Sequence, residues 1–249
     1  MTIVWRVASS LVAVAVVTAC GPAQAEPHPT AHPGEPIPTI GVLFAGNTPI
    51  HTCTAGVLDS AAGDLVLTAA HCLAGPGLGI SFAPGYDNGV SPFGVWTVEQ
   101  VFVDAQWVTV QDPAHDYAIL RVKRDDGAAI ESVVGGGLTL AAAPTPGTAL
   151  SISGYPIGLN DRPLTCNTTA RVVEQDPAFS CAGFGDGTSG SPWVVGTTAT
   201  GVIGGRHQGG CTGDETFSAP FGADVFALLD RAETATTGDS APIALGDGC

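Results

Sequence analysis

The sequence predicts an all-β protein that ends in a single helix. Short apolar segments rich in β-branched residues recur along most of the chain, and clusters of Gly, Pro, Asn and Asp separate them. The 249 residues include 34 Gly and 19 Pro, a composition typical of many short strands joined by turns. Helical apolar spacing is convincing only over residues 222–232, where Val225, Phe226 and Leu229 share one face. This segment is therefore the predicted helix.

The predicted strands fall into two groups along the chain. They cover residues 39–45, 51–58, 65–68, 79–82, 95–103, 117–122, 149–153, 165–173, 192–195 and 200–204. Residues 128–147 are rich in Gly and Pro and lie between the two groups. The sequence therefore predicts two packed β-units connected by this segment, not one continuous sheet.

The N-terminus is predicted to be a signal peptide that ends at residue 25. Arg6 precedes an apolar run over residues 7–17, which is shorter than the roughly 20 residues that cross a bilayer as a helix. Small residues at 23–25 fit ordinary signal peptidase cleavage, whereas residues 17–20 resemble a bacterial lipobox that would lead to lipidation of Cys20. Under both interpretations the protein is exported, either secreted or held at the cell surface by a lipid.

The remaining chain divides into three parts. Residues 26–38 are rich in Pro and are predicted to be a linker or short propeptide, or the tether of a lipoprotein. Residues 39–233 form the predicted folded domain. The tail at 234–249 is small and polar, and we expect it to be mobile unless Cys249 pins it.

Charge and cysteine content exclude several classes of function. The formal net charge of −15 argues against nucleic acid as a partner, and against an anionic membrane unless a lipid anchors the chain. Without Cys20, six of the seven cysteines remain, and an exported protein can keep them as disulfides in any of fifteen connectivities. No two have CxxC spacing and no acidic cluster fits a calcium loop, so neither a metal nor another cofactor is expected.

The string LTAAHC, residues 67–72, is the first motif that carries chemistry. It places His71 just past the end of an apolar strand and beside Cys72. Cys53 lies 19 residues upstream in another predicted strand, and a Cys53–Cys72 disulfide would clamp the turn that holds the imidazole. A lone histidine is most often a surface or satisfied core residue, but a clamped imidazole suits a general base.

The string GDGTSGSPW, residues 185–193, is the second motif. It places Ser189 among small residues ahead of an apolar strand. Glycines allow backbone NH groups to turn toward a developing oxyanion, and the NH groups of Gly187 and Ser189 are the candidate donors. A Gly/Ser turn alone is usually only a turn.

Together and in this order, the two strings resemble the histidine and serine motifs of the trypsin/chymotrypsin-like serine peptidases, over about residues 39–229. The resemblance implies two packed six-stranded antiparallel β-barrels, at about 39–127 and 148–222. It also implies an aspartate at the start of a strand between the motifs, and the string HDYAIL supplies Asp116. His71, Asp116 and Ser189 would then form a catalytic triad in which Asp116 orients the imidazole.

The sequence departs from this family at several positions. Thr188 stands where members activated by proteolysis carry an aspartate, so that activation switch is not expected. Ser191 replaces a glycine, as in bacterial secreted members that include the glutamyl endopeptidases. Residues 182–184 offer no acidic side chain, so a trypsin-like preference for Arg or Lys is not expected either.

Residues 201–211 correspond to the family's substrate-binding strand but lack its usual Ser-Trp-Gly string. The candidate substrate-binding residues are Gly204, Gly205, Arg206 and His207. A cationic Arg206 with His207 would favour an acidic residue before the scissile bond. The alternative is that Arg206 is a solvated or structural residue.

The resemblance implies a second disulfide, Cys166–Cys181, because the family places these segments as neighbouring strands. This leaves Cys211 with Cys249 as the remaining pair, or as two free or intermolecular thiols. The function expected is that of a monomeric, exported serine endopeptidase acting on protein or peptide substrates through an acyl-enzyme. The alternatives are an inactive binding or scaffold protein on the same fold and an esterase on another fold, and the missing GxSxG string disfavours the esterase.

Overall fold

The computed structural model describes residues 1–3, 28–210 and 214–245. The predictions for the signal peptide, for lipidation of Cys20 and for the Cys211–Cys249 pair lie outside these residues. All helices of the described part are too short or too polar to span a lipid bilayer.

The described residues form fifteen strands and three α-helices. The strands are β1 (His32–Pro33), β2 (Ile40–Phe44), β3 (His51–Val57), β4 (Leu65–Thr68), β5 (Ser81–Pro84), β6 (Trp96–Val103), β7 (Ala118–Lys123), β8 (Thr139–Leu140), β9 (Ala149–Gly154), β10 (Leu164–Thr169), β11 (Arg171–Val173), β12 (Asp176–Ser180), β13 (Pro192–Val195), β14 (Thr198–Val202) and β15 (Glu215–Phe217). The helices are α1 (Ala105–Val110), α2 (Ile130–Val134) and α3 (Ala223–Thr234).

The first barrel is closed and antiparallel, with the strand order β2-β3-β4-β7-β6-β5. Its strands carry the β-branched and aromatic residues that suit a pleated, buried surface, and Phe82, Trp96 and Leu120 are fully buried in its core. Because the barrel closes on itself, it leaves no unpaired strand edge.

The second barrel is built from two sheets around one core. A six-stranded sheet has the order β1-β10-β9-β13-β14-β8, and a three-stranded sheet has the order β11-β12-β15. Phe179 and Trp193 pack edge to face at the centre, next to the disulfide of Cys166 with Cys181. These observations confirm the all-β, two-barrel fold, with β1 and β8 added at the edges of the larger sheet.

Several elements differ from the sequence prediction. The predicted strand 165–173 is split at Ala170 into β10, which pairs with β9, and β11, which pairs with β12. The connection at 128–147 contains α2 and β8. The strands β12 and β15 were not predicted, since one contains Asp and Pro and the other has only three residues.

Both ends of the described domain are hydrogen-bonded to the barrels. Residues 28–34 run along the second barrel, where Ala31 N donates to Ala182 O at 2.7 Å. The tail after α3 runs along the first barrel, where Asp239 N donates to Val101 O at 2.7 Å. The described part of the tail is therefore hydrogen-bonded to the first barrel, and the predicted pinning by Cys249 lies outside the described residues.

Helix α3 is joined to the first barrel by Arg121 on β7. The guanidinium donates to Ala235 O at 3.1 Å and, through Nη2, to Ala232 O at the end of the helix. Its Nε lies 3.4 Å from Asp64 Oδ2, and the Arg121 side chain is only 14% exposed. Burial raises the pKa of Asp64, and the nearby guanidinium opposes that rise. A positive charge at a helix C-terminus is also favourable.

Replacing Arg121 with Met is expected to lower the free energy of unfolding by about 3 kcal/mol, because it leaves Asp64 and the helix carbonyls without their partner. Urea unfolding followed by circular dichroism measures this change. Lys123→Met on the same strand is the control, since Lys123 is 57% exposed and forms a surface ion pair with Glu99 at 2.8 Å. The control should lose less than about 1 kcal/mol. Equal losses in the two variants would contradict the role given to Arg121.

Candidate active site

His71 lies in a short 3₁₀ turn, Ala70–Cys72, directly after β4. The predicted disulfide between Cys53 and Cys72 is present and ties this turn to β3. The His71 side chain is only 9% exposed. The strand end and the disulfide together fix the position of the imidazole.

Asp116 lies just before β7 and is fully buried. Its Oδ1 accepts a hydrogen bond from the His71 backbone NH at 2.9 Å, and its Oδ2 lies 2.7 Å from His71 Nδ1. Oδ2 also accepts from the backbone NH of Gly205 at 2.8 Å. A carboxylate held by these donors orients the ring so that Nδ1 carries a proton and Nε2 is left as the basic atom.

Ser189 lies between Gly187 and Gly190, neither of which can be replaced without strain. Gly187 has φ +91° and an added Cβ would lie 2.1 Å from Ile157 N. Gly190 has φ +80° and an added Cβ would lie 2.2 Å from Thr68 Oγ1 on β4. Positive φ and close backbone contacts are conditions that only glycine meets. These contacts press the serine turn against both the 155–160 segment and the strand that leads to His71.

The backbone NH groups of this turn divide into two sets. Those of Thr188, Gly190 and Ser191 donate to carbonyls within the protein, at 2.7–3.1 Å. Those of Gly187 and Ser189 donate to no acceptor among the described residues. Two free NH groups flanking one serine are the arrangement that stabilises an oxyanion.

Thr54 on β3 supports this turn, and sequence reasoning missed it. Its backbone NH donates to Ser189 O at 2.8 Å, and its Oγ1 donates to Gly187 O at 3.1 Å. The same Oγ1 accepts a hydrogen bond from Tyr155 N at 2.9 Å. Thr54 thus holds the carbonyls of Gly187 and Ser189. A buried threonine in a strand gives no sequence signal for this role.

The segment beside the serine turn is attached to β3 through His51. The backbones of His51 and Gly158 exchange hydrogen bonds of 3.0 and 3.2 Å, and Ile157 N donates to Asp186 O at 2.7 Å. His51 is fully buried, with its Nε2 3.2 Å from Asp161 Oδ2. Burial lowers the pKa of His51, and the Asp161 carboxylate opposes that shift. This ring therefore favours the neutral form despite its acidic neighbour.

The structure pairs His71 with Asp116, and it packs the turn that carries Ser189 against the end of β4, which leads to His71. Gly204, beyond β14, packs against Asp116, because an added Cβ would lie 3.0 Å from Oδ2. Among the described residues, Ser189 Oγ makes no hydrogen bond to the His71 ring. In unliganded active sites this contact is often long and tightens when substrate binds.

The predicted substrate-binding residues are split between two places. Gly204 and Gly205 lie against Asp116, as described above. Arg206 turns away and pairs with Glu174 at 2.6 Å and Asp176 at 3.6 Å. Its guanidinium also lies over the ring of Phe217, whose centroid is 6.5 Å from that of His207.

A small cavity of about 80 Å³ lies beside Ser189. Its lining includes Phe184, Ile203, Gln208, Glu215 and Thr216, but neither Arg206 nor His207. The carboxylate of Glu215 is paired with Arg171. The sequence did not single out Gln208 or Glu215, because only the fold brings them next to the serine.

Three residues whose side chains can bind metal ions lie close together. Ligand atoms of Cys53, His71 and Cys72 lie within 4.8 Å of one another. Both sulfurs are bound to each other in the disulfide, so neither is a thiolate that could hold a metal ion. These residues therefore do not fit a metal centre.

Comparison with known proteins agrees with this geometry. Residues 53–204, more than half of the chain, match the trypsin-like peptidase domain family. No curated protein sequence matches the chain.

Solved structures of several proteases share the fold. Protease Anisep from Arthrobacter nicotinovorans aligns with a TM-score of 0.71 and 22% identity, over 83% of this chain and 100% of that one. The thermostable serine protease AL20 from an extremophilic microorganism aligns at 0.68 and 29%, over 80% and 99%. A Glu endopeptidase aligns at 0.65 and 17%, over 83% and 98%. With the sequence match over residues 53–204, these structures show that the chain belongs to the trypsin/chymotrypsin-like family of serine peptidases.

Proposed function

We propose that this protein is an exported serine endopeptidase in which Ser189 is the nucleophile, His71 the general base and Asp116 the residue that orients the imidazole. The observation that carries the proposal is the fully buried Asp116 carboxylate, 2.7 Å from His71 Nδ1. A buried carboxylate in this contact stabilises the imidazolium that forms when His71 takes a proton.

The proposed reaction follows from the groups around Ser189. Ser189 Oγ attacks the peptide carbonyl carbon and passes its proton to His71 Nε2. The NH groups of Gly187 and Ser189 stabilise the negative oxygen of the tetrahedral intermediate. His71 then gives the proton to the leaving amine, and the acyl-enzyme remains. Water attacks this ester with His71 again as base, which releases the acid and restores Ser189.

The proposal includes export of a monomeric chain. The N-terminal leader supports export, with Cys20 as the lipid attachment site if the lipobox is used. The disulfides Cys53–Cys72 and Cys166–Cys181 suit an oxidising compartment. Cys211 with Cys249 remains the proposed third pair.

The cavity beside Ser189 is the candidate binding site for the side chain of the residue that precedes the scissile bond. An acidic preference depends on Arg206 or His207, but Arg206 is paired with Glu174 and Asp176. The cavity is small and is lined by two acidic residues, Asp186 and Glu215, of which Glu215 is paired with Arg171. We infer a preference for small uncharged residues at this position, because an acidic one would face a carboxylate.

Cleavage-site profiling on a complex peptide library tests both proposals, with Ser189→Ala run alongside. The wild type alone should cut, with small uncharged residues enriched before the scissile bond. Enrichment of Glu or Asp there would favour the Arg206 and His207 hypothesis instead. If neither protein cuts while both keep a β-type circular dichroism spectrum, the inactive scaffold becomes the better account.

A further inference from the structure

The tail at residues 235–245 runs from the end of α3 along the first barrel and ends, among the described residues, in a contact with Gln208. Asp239 N donates to Val101 O, and Ala241 exchanges backbone hydrogen bonds of 2.8 Å with Gly75. The last described residues then contact the side chains of two glutamines, Gln111 and Gln208. The tail therefore contacts a residue that lines the cavity beside Ser189.

Gln111 holds the tail through its side-chain amide. Its Nε2 donates to Ile243 O at 2.9 Å, and its Oε1 accepts from Leu245 N at 2.7 Å. One amide thus pairs with two backbone groups of the tail, as a neighbouring strand would. Gln111 ends α1 in the left-handed conformation, with φ +52°, five residues before Asp116. The tail is therefore attached to the segment that carries the proposed triad aspartate.

Gln208 connects the tail to the cavity. Its Nε2 donates to Leu245 O at 2.7 Å, and the same residue lines the cavity beside Ser189. Leu245 thus pairs with Gln111 through its NH and with Gln208 through its carbonyl. A single tail residue bridges the Asp116 segment and the cavity wall.

The backbone at His207 and Gln208 has an unfavourable conformation that neighbouring contacts must stabilise. His207 has φ +52° and Gln208 has φ +49°, two consecutive non-glycine residues in the left-handed region. Such a conformation is strained for a residue with a side chain and persists only where surrounding contacts hold it. The hydrogen bond to Leu245 is one such contact.

We propose that tail residues 243–245 hold Gln208, and with it the wall of the cavity beside Ser189, in the conformation that binds substrate. Gln111 and Gln208 are then positioning residues that act on substrate binding, not on the chemical step. The expected change in KM rests on the proposed peptidase function. The expected change in the structure around Gln208 does not.

Gln111→Leu and Leu245→Pro test this proposal from the two sides of the contact. Gln111→Leu removes both hydrogen bonds to the tail, and Leu245→Pro removes the tail NH while leaving Gln111 intact. Gln106→Leu on α1 is the matched control, because the Gln106 side chain is exposed and its backbone NH, which donates to the N-cap carboxylate of Asp104, is unchanged. Gln111→Glu keeps the acceptor for Leu245 N and should give an intermediate result.

Hydrogen exchange at the amides of residues 204–210 is the first readout. We expect about tenfold faster exchange in Gln111→Leu and Leu245→Pro, and no change in Gln106→Leu. Exchange at the level of the control in both variants would overturn the proposal. This measurement needs no turnover, so it decides the positioning role even if the wild type proves inactive.

Steady-state hydrolysis of a peptide found by cleavage profiling is the second readout. The two variants should raise KM about fivefold and leave kcat within about twofold, because ground-state binding is lost and the triad is not touched. An unchanged KM in an active enzyme would overturn the kinetic part. A wild type that fails to cut would instead count against the proposed function.

Discussion

Ser189→Ala is expected to reduce kcat for peptide hydrolysis by about 10⁶-fold, with little change in KM. The reason is that Ala offers no oxygen to form the acyl-enzyme, while the free NH groups of Gly187 and Ser189 still bind the substrate carbonyl. The residual rate should lie about 10³–10⁴-fold above that of water, the level that an oxyanion site and binding alone supply.

Hydrolysis of a peptide ester by the purified variants measures this loss over a wide range. Ser91→Ala, in a surface turn of the first barrel, is the matched control and should keep full activity. The two variants should have the same melting temperature as the wild type. A Ser189→Ala protein that keeps more than about a hundredth of the wild-type kcat would rule out Ser189 as the nucleophile.

Asp116→Asn is expected to reduce kcat by about 10⁴-fold. Asp116 accepts hydrogen bonds from the His71 NH, from His71 Nδ1 and from Gly205 N. An amide has one oxygen for these donors, and its NH₂ group would face a donor or force the imidazole into the other tautomer. With the proton on Nε2, His71 could not take the proton of Ser189.

The pH–rate profile of the variant separates this cause from a folding defect. Asp125→Asn is the control, since Asp125 is exposed on the turn after β7 and should be neutral. The urea midpoint of Asp116→Asn should shift far less than its activity. Retention of kcat within tenfold of the wild type would show that Asp116 does not orient a catalytic base.

The two motifs and the disulfide next to His71 could be read from the sequence because each is local. LTAAHC places a strand end, a turn and a cysteine within six residues, and GDGTSGSPW places glycines on both sides of the serine. The local sequence of each motif is therefore enough to predict its conformation. The structure then showed the contacts of Asp116 with His71 and the free NH groups beside Ser189.

The supporting residues could not be predicted because their roles depend on long-range contacts. Thr54 meets Gly187 across 133 residues of sequence, and Gln111 meets Leu245 across 134. Neither residue type carries a signal for such a contact. Arg206 shows the reverse case, since its charge suggested a substrate contact but the hairpin of β11 and β12 provides Glu174 and Asp176 as partners.

Strand prediction succeeded where apolar residues alternate or run together, as in β4 and β13. It failed for β12 and β15, where turn-forming residues or shortness hide the pattern. The tail gives a similar lesson, because its small polar residues suggested mobility while Asp239 and Ala241 find backbone partners on the first barrel. Pairing with an existing sheet can order a segment whose own composition favours disorder.

The most direct test of the central claim is labelling of the purified protein with a fluorophosphonate, followed by peptide mapping with mass spectrometry. Ser189 activated by His71 and Asp116 should carry one adduct per chain. The adduct should be absent in Ser189→Ala and should form much more slowly in Asp116→Asn. A folded wild-type protein that stays unlabelled, or that is labelled at another residue, would contradict the assignment of this triad.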